Sequence, residues 1–125
     1  MPYNILIFVS RKPSLSHSEF KNLYETSHIP LLQFFAGDLF PKRHKRHYPQ
    51  FGVDGQPSML LGDKASFDFD AIAEVSFDDE AAYQAFINVL GSKEASEKLA
   101  ADEDKFSERA KMKIVVIGDV QETKT

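Results

Sequence analysis

Apolar positions switch along the chain between runs, helical spacing and strict alternation, and the switches divide it into six elements. Asn4-Ile5-Leu6-Ile7-Phe8-Val9-Ser10 is an unbroken, β-branched-rich run closed by Arg11-Lys12-Pro13. Its length and flanks predict a strand buried on both faces. Ser16-His17-Ser18-Glu19 reads as a capping box, followed at helical spacing by Phe20, Leu23, Tyr24 and His28. Pro30 lacks the N–H that would bond Thr26 and disfavours the α region at Ile29, so a forced break is expected just after His28. A second short helical turn then runs through Leu31, Leu32, Phe34 and Phe35, with Pro30 as its first residue and Gly37-Asp38 as its end.

Pro41 and Pro49 confine any strand between them to the middle of that stretch, at a sheet edge. There His44, Arg46 and Tyr48 share one face, and Arg43, Lys45 and His47 the other. Residues 52–69 make a long connection, whose apolar Met59-Leu60-Leu61 favours a lid or packed flap. Asp70 to Phe77 alternates as a strand, with Ala71, Ala73, Val75 and Phe77 opposite Ile72, Glu74 and Ser76. Asp78 is expected to cap a helix with the stripe Ala82, Phe86, Val89 and Leu90, stopped by Gly91. Ser92 restarts a more polar helical segment with Ala95 and Leu99, and Asp102-Glu103-Asp104 reads as a solvated turn. Lys113 to Ile117 is the last strand. The order β-α-β-β-α-β predicts an α+β, ferredoxin-like domain spanning residues 1–125, with two helices on one face of a four-stranded antiparallel sheet.

That arrangement leaves one sheet face uncovered, yet the first and last strands are apolar throughout. A second copy packing sheet against sheet would bury the patch, so a homodimer is expected.

Composition narrows the chemistry. The 125 residues are 42% apolar and 27% charged, as in an ordinary globular domain. Fifteen cations against nineteen anions argue against a nucleic-acid binder. Nothing is long and apolar enough to span a membrane, and no secretory pattern opens the chain, so a cytoplasmic protein is expected. The absence of cysteine removes disulfides and thiolate chemistry. No Walker loop, GxGxxG turn, HExxH or GxSxG elbow occurs, so neither a metal nor a cofactor is expected.

Four histidines remain as groups that titrate near neutrality. His17 falls on an exposed register. His44 and His47 face opposite ways in their strand and cannot pair on one metal. His28 is either a satisfied structural histidine or a catalytic one, and it would converge with His44 and Tyr48 if the helix break lies above the second strand. The basic run Lys42–His47 reads as a charged edge, although Arg46 could receive a substrate carboxylate. Glu74 is either a solvated position or a pocket base.

The blocks Phe8-Val9-Ser10-Arg11-Lys12-Pro13 with Leu15-Ser16, Glu19-Phe20, and His28-Ile29-Pro30-Leu31 resemble the opening of EthD-domain proteins. Asp70-Ala71-Ile72-Ala73-Glu74 and Ala101-Asp102-Glu103 with Phe106 resemble the later blocks. The likeness runs from Ile5 to Gly118 and is nearest to fungal members beside polyketide pathways. It implies a dimeric α+β barrel and a small aromatic or polyketide substrate. The expected activity is a cofactor-independent cyclisation, dehydration or decarboxylation. His28, His44 and Tyr48 are the expected catalytic residues, and Phe8, Tyr24, Arg46 and Glu74 the substrate-binding ones. A cofactor-free or haem-dependent monooxygenase, or an accessory module that only holds a hydrophobic ligand, are the alternatives. His28→Ala is expected to lower turnover by ~10²–10⁴ with the fold intact.

Overall fold

The computed structural model describes residues 1–125. Four strands, β1 (Tyr3–Val9), β2 (Arg43–His47), β3 (Ala71–Phe77) and β4 (Lys113–Ile117), form one antiparallel sheet in the order β2-β3-β1-β4. The helices are α1 (His17–Leu23), α2 (Ile29–Ala36), α3 (Glu80–Leu90) and α4 (Lys93–Phe106). The ferredoxin-like order is therefore present, with β2 at an edge as its flanking prolines require.

Register sorts the strand residues cleanly. Ile5 pairs with Val75 and Val116, and Ile7 with Ala73 and Ile114. These residues share the face under the helices, where Ile5, Val9, Ala71, Ala73, Val75 and Phe77 are buried. Ala71 and Ala73 are wholly inaccessible, because a methyl group at these points lets the helical layer sit close on the central strands. The opposite face carries Leu6, Phe8, Ile72, Val115 and Ile117, and no element of the chain covers it. β1 is thus buried on one face only, and β4 is exposed on the helical side too, with Ile114 at 56% and Val116 at 54%.

The capping box at Ser16 and Glu19 forms as the sequence dictates, each side chain bonded to the other's backbone N–H. Asp79, rather than Asp78, caps α3 by accepting from Ala82 N at 2.8 Å. α4 is longer than its polar composition suggests, because Ala95, Leu99 and Phe106 give it a buried stripe. The helix swallows the expected solvated turn. The long connection carries a bridge between Phe51 and Pro57 and a 3₁₀ turn at Lys64–Ser66. Leu60 and Leu61 stand fully in solvent, so the expected packed flap is absent.

Gly37 ends α2 at φ 54°, ψ −127°, a conformation that side-chain-bearing residues avoid. A Cβ there would meet no atom within 4 Å, so any cost of substitution is backbone strain alone. Gly37→Ala should lower unfolding free energy by ~1–3 kcal/mol, measured by urea denaturation. An unchanged midpoint would show that this turn relaxes freely.

Candidate functional site

The helix that begins at α1 does not break before Pro30. Residues Tyr24–His28 form a π-helical turn in which Ile29 N bonds Tyr24 O. Ile29 itself is helical (φ −62°, ψ −46°), contrary to the expectation from its following proline. The wide turn shifts the carbonyl register, and Pro30 then stands in the first turn of α2, where no amide donor is required. Single π turns of this kind frequently accompany functional sites.

The turn delivers His28 to the interior, 7% exposed. His28 Nδ1 lies 3.1 Å from Oδ2 of Asp102 on α4, and Ser27 Oγ donates to the other carboxylate oxygen at 2.7 Å. Asp102 is itself 5% exposed, and its only cation is Lys105 at 3.8 Å. With Nδ1–H committed to the carboxylate, the imidazole presents an unprotonated Nε2 that has no partner within the chain. Burial lowers the His28 pKa, and Asp102 opposes that fall without cancelling it. At neutral pH His28 is thus a neutral, oriented base.

His28 borders a cavity of about 160 Å³ between the sheet and the helices. Ile5, Ile7 and Val9 form its floor, Tyr24, Leu32 and Phe106 its inner wall, and Ile87 and Ile114 its exposed rim. Twelve of its fourteen lining residues are hydrophobic, and Glu103 is the only carboxylate among them. The Tyr24 and Phe106 rings stack at 5.3 Å, and His28 lies 5.2 Å from Phe106, which fixes the imidazole plane.

A family model for the EthD domain matches residues 12–110. The chain belongs to the EthD domain family. Among solved structures, it is similar to an ethyl tert-butyl ether D (EthD) family protein from Bacillus halodurans C-125, with TM-score 0.59 and 16% identity over 96% of this chain and 100% of the other. An EthD-like protein from Ralstonia eutropha JMP134 superposes with TM-score 0.58 at 11% identity, over 93% of this chain and 87% of its own. A dimeric, ferredoxin-like protein of unknown function from Bacteroides fragilis gives 0.54 at 7% identity, over 93% and 94%. No curated protein matches the chain. At these identities the structures share the fold.

Within this EthD domain, only His28 and Tyr24 of the expected site residues line the cavity. His44, Arg46 and Tyr48 do face the helical layer but form a separate polar cluster. Arg46 binds the Glu25 carboxylate through Nε at 2.6 Å and Nη2 at 2.9 Å, and Tyr48 donates to the same group. Arg46 is therefore already paired and does not reach into the cavity. His44 Nδ1 accepts from Arg46 Nη1 at 3.0 Å, and burial, with Arg46 and His28 nearby, pushes its pKa down to about 4. Burial and the Glu25 carboxylate raise the Tyr48 pKa, as burial does for Tyr24.

Phe8 and Glu74 lie on the opposite face of the sheet. Phe8 packs on Phe69 at 4.9 Å, and Glu74 pairs with exposed His47. His17 is not the free surface histidine its register suggests. It stacks on Phe51 at 3.6 Å and lies 3.2 Å from Asp70, partners supplied by chain distant in sequence. No part of residues 52–69 lines the cavity, so the long connection is no lid over it. No group of three His, Asp or Glu side chains converges on a metal-sized site, and no helix is long and apolar enough to cross a membrane.

Asp102, the buried partner of His28, was not among the expected site residues. The spacing Ala95, Leu99, Asp102, Phe106 puts a carboxylate on the buried stripe of α4, and that was its signal. It also changes the meaning of His28→Ala, which would strand the buried Asp102 charge and destabilise the fold by about 3–5 kcal/mol.

Both depressed histidines give stability the same pH dependence. An unfolded histidine protonates near pH 6.5, whereas folded His44 resists until about pH 4. Stability should therefore fall as pH drops below 6.5, and the His44 contribution should level off near 4. Glu25, whose pKa Arg46 lowers, adds stability that is kept above the ordinary carboxylate pKa and is lost only as pH falls through and below it. Urea unfolding between pH 6.5 and 4.5 should show this slope, reduced in His44→Gln. An identical slope in that variant would remove His44 as a cause.

Proposed function

We propose that the domain is a cofactor-independent acid–base enzyme acting on a small aromatic or polyketide-type carbonyl compound, with His28 as the proton-accepting residue. The observation that carries this reading is a buried, Asp102-oriented imidazole with a free Nε2, on the wall of a cavity in which twelve of fourteen lining residues are hydrophobic. A cavity of this volume matches one known to admit a benzene ring.

The chemistry available is removal of a proton from carbon beside a carbonyl, the opening step of aldol-type cyclisation or dehydration. Positioned transfer of this kind contributes ~10²–10⁴ in rate. Asp102 holds the tautomer and stabilises the imidazolium once it forms, and Ser27 holds Asp102. Polyketide cyclisation and decarboxylation are the finer assignments this reading admits.

Acetophenone supplies a single ring and exchangeable α-protons. Its deuterium uptake in D₂O, followed by proton NMR, should be accelerated by the protein and reduced about 10²-fold or more in His28→Gln. Glutamine keeps a donor for Asp102 but cannot take the proton. Binding without exchange in the wild type would favour the accessory, ligand-holding alternative.

We also infer that two copies pack through the face bearing Leu6, Phe8, Val115 and Ile117, since nothing within one chain covers it and the Bacteroides fragilis relative is described as dimeric. Sedimentation equilibrium should give a dimer at micromolar concentration, and Val115→Glu a monomer. A monomeric wild type would remove this inference.

A further inference from the structure

The cavity holds one polar group that the proposed base does not use. Glu103 follows Asp102 on α4, so the helical rotation between them turns one carboxylate onto His28 and the other toward the cavity. Its side chain is 20% exposed and makes no hydrogen bond within the chain. The only cation near it is Arg109, with Nε 3.8 Å from Oε2 and half in solvent. No lysine or arginine lines the cavity, and the one arginine facing that layer from β2, Arg46, is bound to Glu25.

We propose that Glu103 is the second proton-transferring group of this cavity, giving its proton to the carbonyl oxygen of an uncharged aromatic ketone while His28 takes one from the adjacent carbon. This rests on the acid–base reading of His28 given above. The step balances: the C–H electron pair becomes the enol C=C bond, and the carbonyl π pair takes the Glu103 proton. His28 ends as imidazolium and Glu103 as carboxylate. Return of one proton to carbon or solvent and of the other to Glu103 resets both.

Desolvation raises the Glu103 pKa, with Asp104 and Asp102 adding to the rise and Arg109 opposing it. Burial shifts His28 the other way. The two shifts bring the proton affinities toward each other, which increases the share of molecules that hold an unprotonated His28 beside a protonated Glu103. The same charge balance selects the ligand. A free carboxylate would be desolvated among twelve hydrophobic lining residues with no cation to receive it, which disfavours decarboxylation of an ionised acid and favours enol-forming chemistry on neutral carbonyl compounds.

Acetophenone and benzoate, close in size and opposite in charge character, separate these claims. Acetophenone should raise the melting temperature of the protein and benzoate should not. The α-proton exchange rate should be bell-shaped in pH, because it needs His28 unprotonated and Glu103 protonated at the same time. Glu103→Gln should bind acetophenone, exchange about 10²-fold more slowly and lose the descending limb. Arg109→Gln, which leaves the cavity wall untouched, should move the limb set by Glu103 to higher pH. Wild-type rate and profile in Glu103→Gln, an unmoved limb in Arg109→Gln, or benzoate binding as well as acetophenone would each overturn the assignment. Loss of exchange in His28→Gln together with an unaltered Glu103→Gln sinks Glu103 alone. Full exchange in His28→Gln sinks the acid–base reading beneath it.

Discussion

A carboxylate held out of water must be answered by its neighbours, and in this domain that demand falls on Asp102. Its oxygens are met by Ser27 and His28, adjacent residues of one π-helical turn. The turn is what allows two consecutive side chains to reach the same carboxylate while Tyr24 still packs on Phe106. One buried anion thereby fixes the approach of α4 to the first helical layer, and with it the position of the imidazole relative to the sheet. Removing either partner leaves a charge in apolar surroundings, so the arrangement is coupled as a unit.

The space between helices and sheet is divided by polarity. Toward β2, the cluster Glu25–Arg46–Tyr48 with His44 satisfies its own donors and acceptors. Toward β1 and β4, the layer is lined by hydrophobic residues except for His28 and Glu103. The first region is a self-contained network of the kind that specifies packing. The second presents two titratable groups in low-polarity surroundings, where proton affinities are most easily shifted. Both regions lie under one sheet face, so facing inward did not by itself distinguish a catalytic residue from a structural one.

Much of this was legible in the chain. Strand alternation, the Ser16 capping box and the proline limits on β2 follow from local rules, and the structure obeys them. His28 was visible as a core-facing titratable group. What local rules did not reach were pairings between distant segments: Asp102 with His28, Glu25 with Arg46, and Phe51 and Asp70 with His17. Asp102 also shows how composition misleads. Three acidic residues in a row read as solvent-facing, whereas helical period places one of them on the buried stripe. Pro30 failed as a stop signal because the π turn before it altered the hydrogen-bond register on which the stop rule depends.

The cavity beneath the helices also bears on how the domain answers pressure. Its rim is open at Ile87 and Ile114, so only the space that water leaves unfilled is lost on unfolding and weakens the fold under hydrostatic pressure. A ring lodged against Phe106 and Ile7 would remove that compressible space. Occupancy of the site is thus written into the volume change of the whole molecule.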